Sequence, residues 1–410
     1  MSGKTLLKIK KEMYVLSFSR FFEDFGAGMM VALIPLYIAR LNSIYFQDVP
    51  VVVKVGIVMS VFGAVIALSQ PLLGVLTDYL GKRKPLILFG LAGFAVISFL
   101  YARINLFESL IVLRIIEGLL VGAALPSLMG MLSDLSLPDT KGRVIGMHST
   151  IRGIAFGSGP LFGGTVATYY GYTTGFYLCA VLGTLSLLLV SLFVKETHSR
   201  GKIDTPTKTS KNILIISATV FIMMLGTMIV VSLLPEFEGR LGASQFSLGI
   251  MISVFMLSRL LFQVPIGTIS DNFCKTKIVV SGLMVSSILI ISLGYASSIN
   301  ELIFIRGLQG IAAAAVNTPL IALAAEIADG SNIGHSMGYI MGANAGGMAI
   351  GPLFGGLLAG YISFVTPFYI CAFLMLFSAI LILIAFKELP GQHNINTNNP
   401  MRGCGNGNRD

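Results

Sequence analysis

The sequence predicts an all-α membrane protein in which twelve transmembrane helices form two pseudo-symmetric six-helix bundles. Composition is the first observation: of 410 residues, 55% are hydrophobic and 11% charged, and the mean hydropathy is +0.85, which excludes an ordinary soluble surface. The second is that apolar runs of about 20 residues, enough to cross roughly 30 Å of hydrocarbon at about 1.5 Å per residue, recur along almost the whole chain. The third is an internal repeat. Gly159, Pro160, Gly163 and Gly164 return as Gly351, Pro352, Gly355 and Gly356, and Gly142, Arg114 and Gly118 return as Gly334, Arg306 and Gly310, all 192 positions on. Gly74 and Asp78 return as Gly267 and Asp271 at 193. So long a period lies outside the range of solenoids and fits parallel half-repeats that enclose a site at the bilayer midplane.

The spans of the first half begin near Tyr14, Val51, Pro85, Phe107, Val144 and Thr173, and those of the second near Asn212, Gln245, Lys275, Glu301, Gly334 and Phe364. The N-terminus is basic and then apolar, but the apolar part runs past Leu33 with acidic residues inside it and no small-residue cleavage site, so it reads as a retained first helix. Nineteen of the 28 basic residues fall in alternate segments: the N-terminus, Lys82 to Lys84, Lys141 and Arg143, Lys195 to Lys211, Lys275 and Lys277, and the C-terminus. The intervening segments hold only Arg40, Lys54, Arg103 and Arg240. By the positive-inside rule both termini are cytoplasmic, and the net charge of +9 is topological, with no nucleic-acid partner implied.

These boundaries give an N-terminal bundle over 1–194, a polar interdomain linker over 195–211, a C-terminal bundle over 212–388 and a tail over 389–410 that is expected to be disordered. Cys179, Cys274, Cys371 and Cys404 have no metal-ligand spacing and read as free thiols. His148 and His335 have no companions at ligand spacing and read as structural. No metal and no cofactor is expected.

Between the second and third spans stand Gly74, Asp78, Gly81, Lys82 and Lys84. This set resembles the loop motif of the major facilitator superfamily, with Tyr79 where a basic residue is usual. The physical reading is a gate in which Gly74 permits close helix approach and Asp78 caps a facing helix N-terminus; the resemblance implies that this helix is the eleventh span and that the contact holds an outward-open state. Asp271 keeps the carboxylate of the second copy. In the fourth span Arg114, Glu117, Gly118 and Gly122 resemble a second pattern of the superfamily, whose arginine is associated in relatives with proton transfer. Gly153, Gly157, Gly159, Pro160, Gly163 and Gly164 in the fifth span resemble the motif linked to antiporters, and Gly351 and Pro352 in the eleventh resemble the pattern of twelve-helix drug:proton antiporters. Helix packing alone also accounts for small residues at this spacing.

Arg20, Glu23 and Asp24 share a face of the first span. By helical rise Asp24 and Glu117 lie roughly 15 Å deep and Arg152 roughly 12 Å, so charges from three helices are expected at one level, the mark of a transport site. The alternative is that Arg20 merely neutralises Asp24. With the resemblance, this implies a non-enzymatic, monomeric carrier in the plasma membrane that exchanges protons for small amphipathic or cationic compounds. Asp24, with Glu23 or Glu117, would carry the proton, Arg114 and Arg152 would tune it, and Asp78 would gate. Symport of a metabolite or organic anion held by Arg152 or Arg259 is the second reading.

Overall fold

A computed structural model describes residues 11–137, 140–197, 210–328 and 333–386; of Lys11, Asp78 and Ile333 it describes the backbone only. Among the described residues thirteen helices follow one another: α1 Lys11–Ile38, α2 Val51–Leu80, α3 Lys84–Tyr101, α4 Phe107–Leu135, α5 Lys141–Tyr170, α6 Tyr172–Phe193, α7 Lys211–Ser232, α8 Leu234–Leu241, α9 Gln245–Asn272, α10 Lys275–Leu293, α11 Ile299–Ile327, α12 Ile333–Tyr361 and α13 Thr366–Phe386. The expected spans coincide with all of these except α8, a short amphipathic helix opened by Pro235. The expected tail and most of the expected linker lie outside the described residues. Cys179 and Cys371 are buried free thiols. Cys274 corrects the free-thiol expectation: it is disulfide-bonded, and it sits at the N-cap of α10 in a polar turn rather than inside a span.

Ten of the helices are long and apolar enough to cross a membrane. Of the helices of spanning length, α5 and α12 are the two that fall short, and they are the two that carry the glycine repeat. Packing explains their lower hydropathy. Helix α5 lies between α1 of its own half and α9 of the other, and α12 lies between α7 and α2, so protein and not lipid covers much of their surface.

The glycines make these crossings close. A Cβ on Gly159 would lie 2.5 Å from the Phe25 carbonyl oxygen, and one on Gly28 would lie 2.5 Å from that of Phe156. Between the halves, a Cβ on Gly249 would meet the Pro160 carbonyl at 2.3 Å and one on Gly56 the Pro352 carbonyl at 2.7 Å. Each proline disturbs the helical ladder around it, and a serine of the opposing half takes up the adjacent amide. Leu161 N–H donates to Ser253 Oγ and Leu353 N–H to Ser60 Oγ, both at 2.9 Å. The two clasps are related by the repeat.

Those contacts lie toward one face of the molecule. Toward the other, which bears Lys82, Lys84, Lys141, Lys275 and Lys277 and is called here the basic face, α5 and α12 stand clear: a Cβ on Gly142, Gly146, Gly338 or Gly342 would meet nothing within 4 Å. The halves are therefore joined at the opposite face and parted at the basic face. Gly81 ends α2 in the left-handed conformation, φ 62°, its N–H bonded to the Thr77 carbonyl; this is a position that favours glycine for its backbone. The close approach expected at Gly74 belongs to an arrangement in which the basic ends of α2 and α12 meet; here they stand apart, and a Cβ on Gly74 would lie 3.5 Å from Pro126 of the same half, an ordinary contact.

At the basic face Glu196 Oε1 accepts from the amides of Arg83 and Lys84, capping α3, and Arg83 pairs with Asp134 at 2.7 Å. At the opposite face Gln245 Nε2 donates to Glu238 Oε1 at 2.7 Å, and Phe246 N–H to Thr168 Oγ1 at 3.0 Å. Burial in this closed face raises the Glu238 carboxyl above its ordinary 4.5, against the opposing effects of Gln245 and Arg40. A raised carboxyl binds its proton more tightly in the closed form than in an opened, hydrated one. The closed form is thus expected to gain most below the ordinary value and to lose that contribution as pH rises through the raised one. Spin-label distances across this face, measured against pH, would follow the change, and Glu238→Gln is expected to flatten it.

Candidate functional site

Between the two halves lies a cavity of 420 Å³, within the range that takes a drug-sized molecule. Its N-terminal wall carries every charged residue that lines it: Arg20, Glu23, Asp24, Arg114, Glu117 and Arg152. All but Arg152 are buried, Asp24 at 3% exposure. Three guanidinium groups thus face three carboxyls in a wall surrounded by apolar helix.

These residues form two sets. In the first, Arg20 pairs with Glu23 and lies 3.3 Å from Asp24, one turn on, while Arg152 of α5 approaches the other oxygen of Asp24 at 3.4 Å. The Arg152 side chain is 43% exposed, and that of Asp24 4%. One partner of the carboxylate is therefore fixed and the other can withdraw into the cavity. In the second set, Glu117 accepts from Arg114 at 2.9 Å and from the Tyr101 hydroxyl at 2.6 Å, both at Oε2. The Arg114 guanidinium sits 4.7 Å from the Phe62 ring centroid. The sets share the cavity, and among the described residues no ion pair joins them.

Glu117→Gln is expected to leave Arg114 with a neutral acceptor in an apolar wall. Breaking a buried pair of this kind costs about 3 to 5 kcal/mol, which would read as a lowered melting temperature of the purified protein. The repeat limits how much of that loss appears. At the matching place on α11 Arg306 already donates to a neutral Gln309 at 2.6 Å, with Phe255 4.1 Å beneath it, so the fold has one solution for an arginine without a carboxylate. A loss near the lower bound is expected.

The C-terminal wall differs in kind. It presents Met224 and Met228 of α7, Met256 of α9, and Met341, Met348 and Asn344 of α12. Packing gives the register of the halves here. Gly159 closes on Phe25 and Gly28, and Gly351 on Leu225 and Met228; Gly26 faces Cys179, and Gly226 faces Cys371. Positions on α1 therefore match those on α7 at an offset of 200, so Glu23 and Asp24 correspond to Met223 and Met224, and Arg152 corresponds to Asn344. Where one half has charge, the other has soft, unbranched apolar side chains that adapt to varied shapes.

The other sequence candidates lie elsewhere. Gly153 and Gly157 of α5 face Leu260 and Leu257 of α9, Gly163 packs on Met29, and Gly164 on the Gln245 carbonyl. The Asp78 side chain lies outside the described residues, and Asp271 is exposed at the basic end of α9. Arg259, expected as a possible anion holder, is not among the cavity residues. Sequence reasoning expects some methionines in the cavity lining but does not single out Tyr101 or Phe62, nor gather the methionines on one wall. The methionines carried a signal, the recurrence of Met223, Met224 and Met228 at helical spacing, but it has meaning only once the register of α1 against α7 is known.

Comparison with known proteins follows the same lines. The family model described as Major Facilitator Superfamily matches residues 16–216 and 216–403. The quinolone resistance protein NorA of Staphylococcus aureus is 28% identical over 188 residues, which is 46% of this chain and 46% of that protein; the match spans about half the length of that relative. The uncharacterized MFS-type transporter YuxJ of Bacillus subtilis is 28% identical over 311 residues, 72% of this chain and 78% of its own. Among solved structures, the nucleoside transporter NupG superposes with a TM-score of 0.73 at 15% identity, over 92% of this chain and 100% of its own, a likeness of fold.

Proposed function

The chain belongs to the major facilitator superfamily, a family of multi-pass membrane transporters and not of enzymes, and on that premise we propose that it exports small amphipathic or cationic compounds in exchange for protons. The observation that carries the proposal is Asp24, buried and held between a fixed Arg20 and a retractable Arg152. Three arginines and three carboxyls make a formally neutral wall. One added proton or one added organic cation leaves it at +1, and both together at +2, which an apolar surround disfavours. Proton and cation therefore exclude one another, which is the requirement for exchange. The methionine wall receives the apolar body of the substrate, and the likeness to a quinolone resistance protein agrees with a substrate of this kind.

With the basic face cytoplasmic, the arrangement is inward-facing: the cavity opens to the cell interior and the serine clasps close the outer end. Alternating access would part the clasps and bring the basic ends of α2 and α12 together, where Asp78 would meet α12. The residues around 195–211 would link the two halves. No cofactor is needed, since the proton gradient supplies the energy, and one chain holding both halves works as a monomer in the plasma membrane.

The test is reconstitution in vesicles with an imposed pH gradient. Addition of a lipophilic cation such as tetraphenylphosphonium is expected to dissipate the gradient. Arg152, exposed to the cavity, favours a second reading, symport of an organic anion. Dissipation by an organic anion alone, with none by the cation, would establish that reading and overturn export.

A further inference from the structure

His148 is fully buried, 0% exposed, and neither of its ring nitrogens has a hydrogen-bond partner among the described residues. It lies on α5 one turn from Arg152 toward the basic face, so the two share a helix face. We propose that His148 is the inner relay of the coupling proton, passing it between Asp24 and the cytoplasm through the N-terminal half, apart from the substrate cavity. This rests on the reading that Asp24 carries the proton.

Three observations support it. First, a buried imidazole without a partner is costly, and packing does not call for one. The repeat places Ile340, 4% exposed, at the equivalent position of α12, where an apolar side chain does the filling. Second, α1 and α5 run parallel, with Gly28 beside Gly159 and Met29 beside Gly163. That register carries His148 to the level of Ser17, which is buried with an unpartnered hydroxyl, between Asp24 and the basic face. Third, His148 does not line the cavity, so a proton travelling this way leaves the substrate site free.

The charged side chains on α5 and on the helices packed against it are Glu12, Arg20, Glu23 and Asp24 on α1; Glu108, Arg114, Glu117 and Asp134 on α4; Arg259 and Asp271 on α9; and Lys141, Arg143 and Arg152 on α5 itself. Helix α6 carries no Asp, Glu, Lys or Arg. When an arriving cation displaces the Asp24 proton, the imidazole takes it on a free nitrogen as imidazolium. Loss of one N–H proton to cytoplasmic water restores the neutral ring.

The first test needs no substrate. In full-length protein with 15N-labelled histidine in lipid nanodiscs, the His148 ring, assigned by its loss in His148→Gln, is expected to titrate within the pH range in which the protein stays folded. Its midpoint is expected to move when Asp24 is replaced by Asn, because linked sites titrate as a pair. A ring that stays neutral throughout, or a midpoint indifferent to Asp24, would overturn the proposal. The second test is functional. His148→Gln and His148→Leu, the latter copying the apolar side chain of the other half, are expected to retain downhill exchange of lipophilic cation at equal pH and to lose pH-driven accumulation about tenfold. Accumulation at the wild-type level with an unchanged pH profile would make the residue structural. If the wild type itself moves no cation, the export reading fails, while the shared titration still decides whether His148 and Asp24 exchange protons.

Discussion

Replacing Asp24 with asparagine is expected to abolish proton-coupled transport. The substitution keeps the shape and one acceptor oxygen and removes the charge, so Arg20 retains only Glu23 as an anionic partner, and Arg152 loses the negative charge it approaches at 3.4 Å. The cavity wall then bears a net positive charge in every state. A cationic substrate meets repulsion where the wild type offers a carboxylate, and the loss of one buried partner, about 3 kcal/mol, corresponds to a weakening of about a hundredfold. Binding measured by displacement of a fluorescent lipophilic cation is expected to fall by that factor, and the substrate-driven collapse of a pH gradient in vesicles to vanish. An Asp24→Asn protein that still collapsed the gradient would move the coupling role to Glu23 or Glu117.

Gly249→Ala is expected to shift the conformational balance toward the form open at the face now closed. The added methyl carbon would stand 2.3 Å from the Pro160 carbonyl oxygen, and in Gly356→Ala 2.4 Å from that of Val52. Both obstacles are backbone of the opposite half, so no side chain can swing aside and the halves themselves must move apart. Overpacking of this kind costs about 1 to 3 kcal/mol, a population shift of roughly five- to a hundredfold. Ser253→Ala, which removes one clasp without pushing, is expected to act in the same direction by about 0.5 to 1.5 kcal/mol. Gly142→Ala, with nothing within 4 Å, is the silent control. Distances between spin labels on the ends of α1 and α9 at the closed face would report all four. An unchanged distance distribution in Gly249→Ala would refute the close approach of α5 and α9.

Several features of the site were legible in the chain because their physics is local. Arg114 and Glu117, or Arg20 and Asp24, pair along a single helix, and spacing alone puts them on one face. The depth of each charge follows from helical rise, so Asp24, Glu117 and Arg152 could be placed at one level before any packing was known. The short α8 was not legible, since eight polar and apolar residues between two spans read equally well as a loop. At Gly74 a small residue permits close approach without requiring it, and whether helices meet there depends on which end of the molecule is shut.

The sequence by itself determined the class of the protein, its helices and the pairing of its halves, because hydropathy, rise per residue and a repeat at 192 are properties of the chain. Only the tertiary structure decided that the α1 and α7 repeats stand at an offset of 200, since that register depends on how α1 meets α5 and α7 meets α12. From it follow the replacement of Glu23 and Asp24 by Met223 and Met224 and the division of the cavity into a charged wall and a methionine wall. The structure also decided that the parted ends lie at the basic face. That choice between two nearly equivalent packings rests on contacts between residues 78 to 293 positions apart, such as Phe246 with Thr168 and Ser60 with Leu353, and periodicity along one chain carries no information about them.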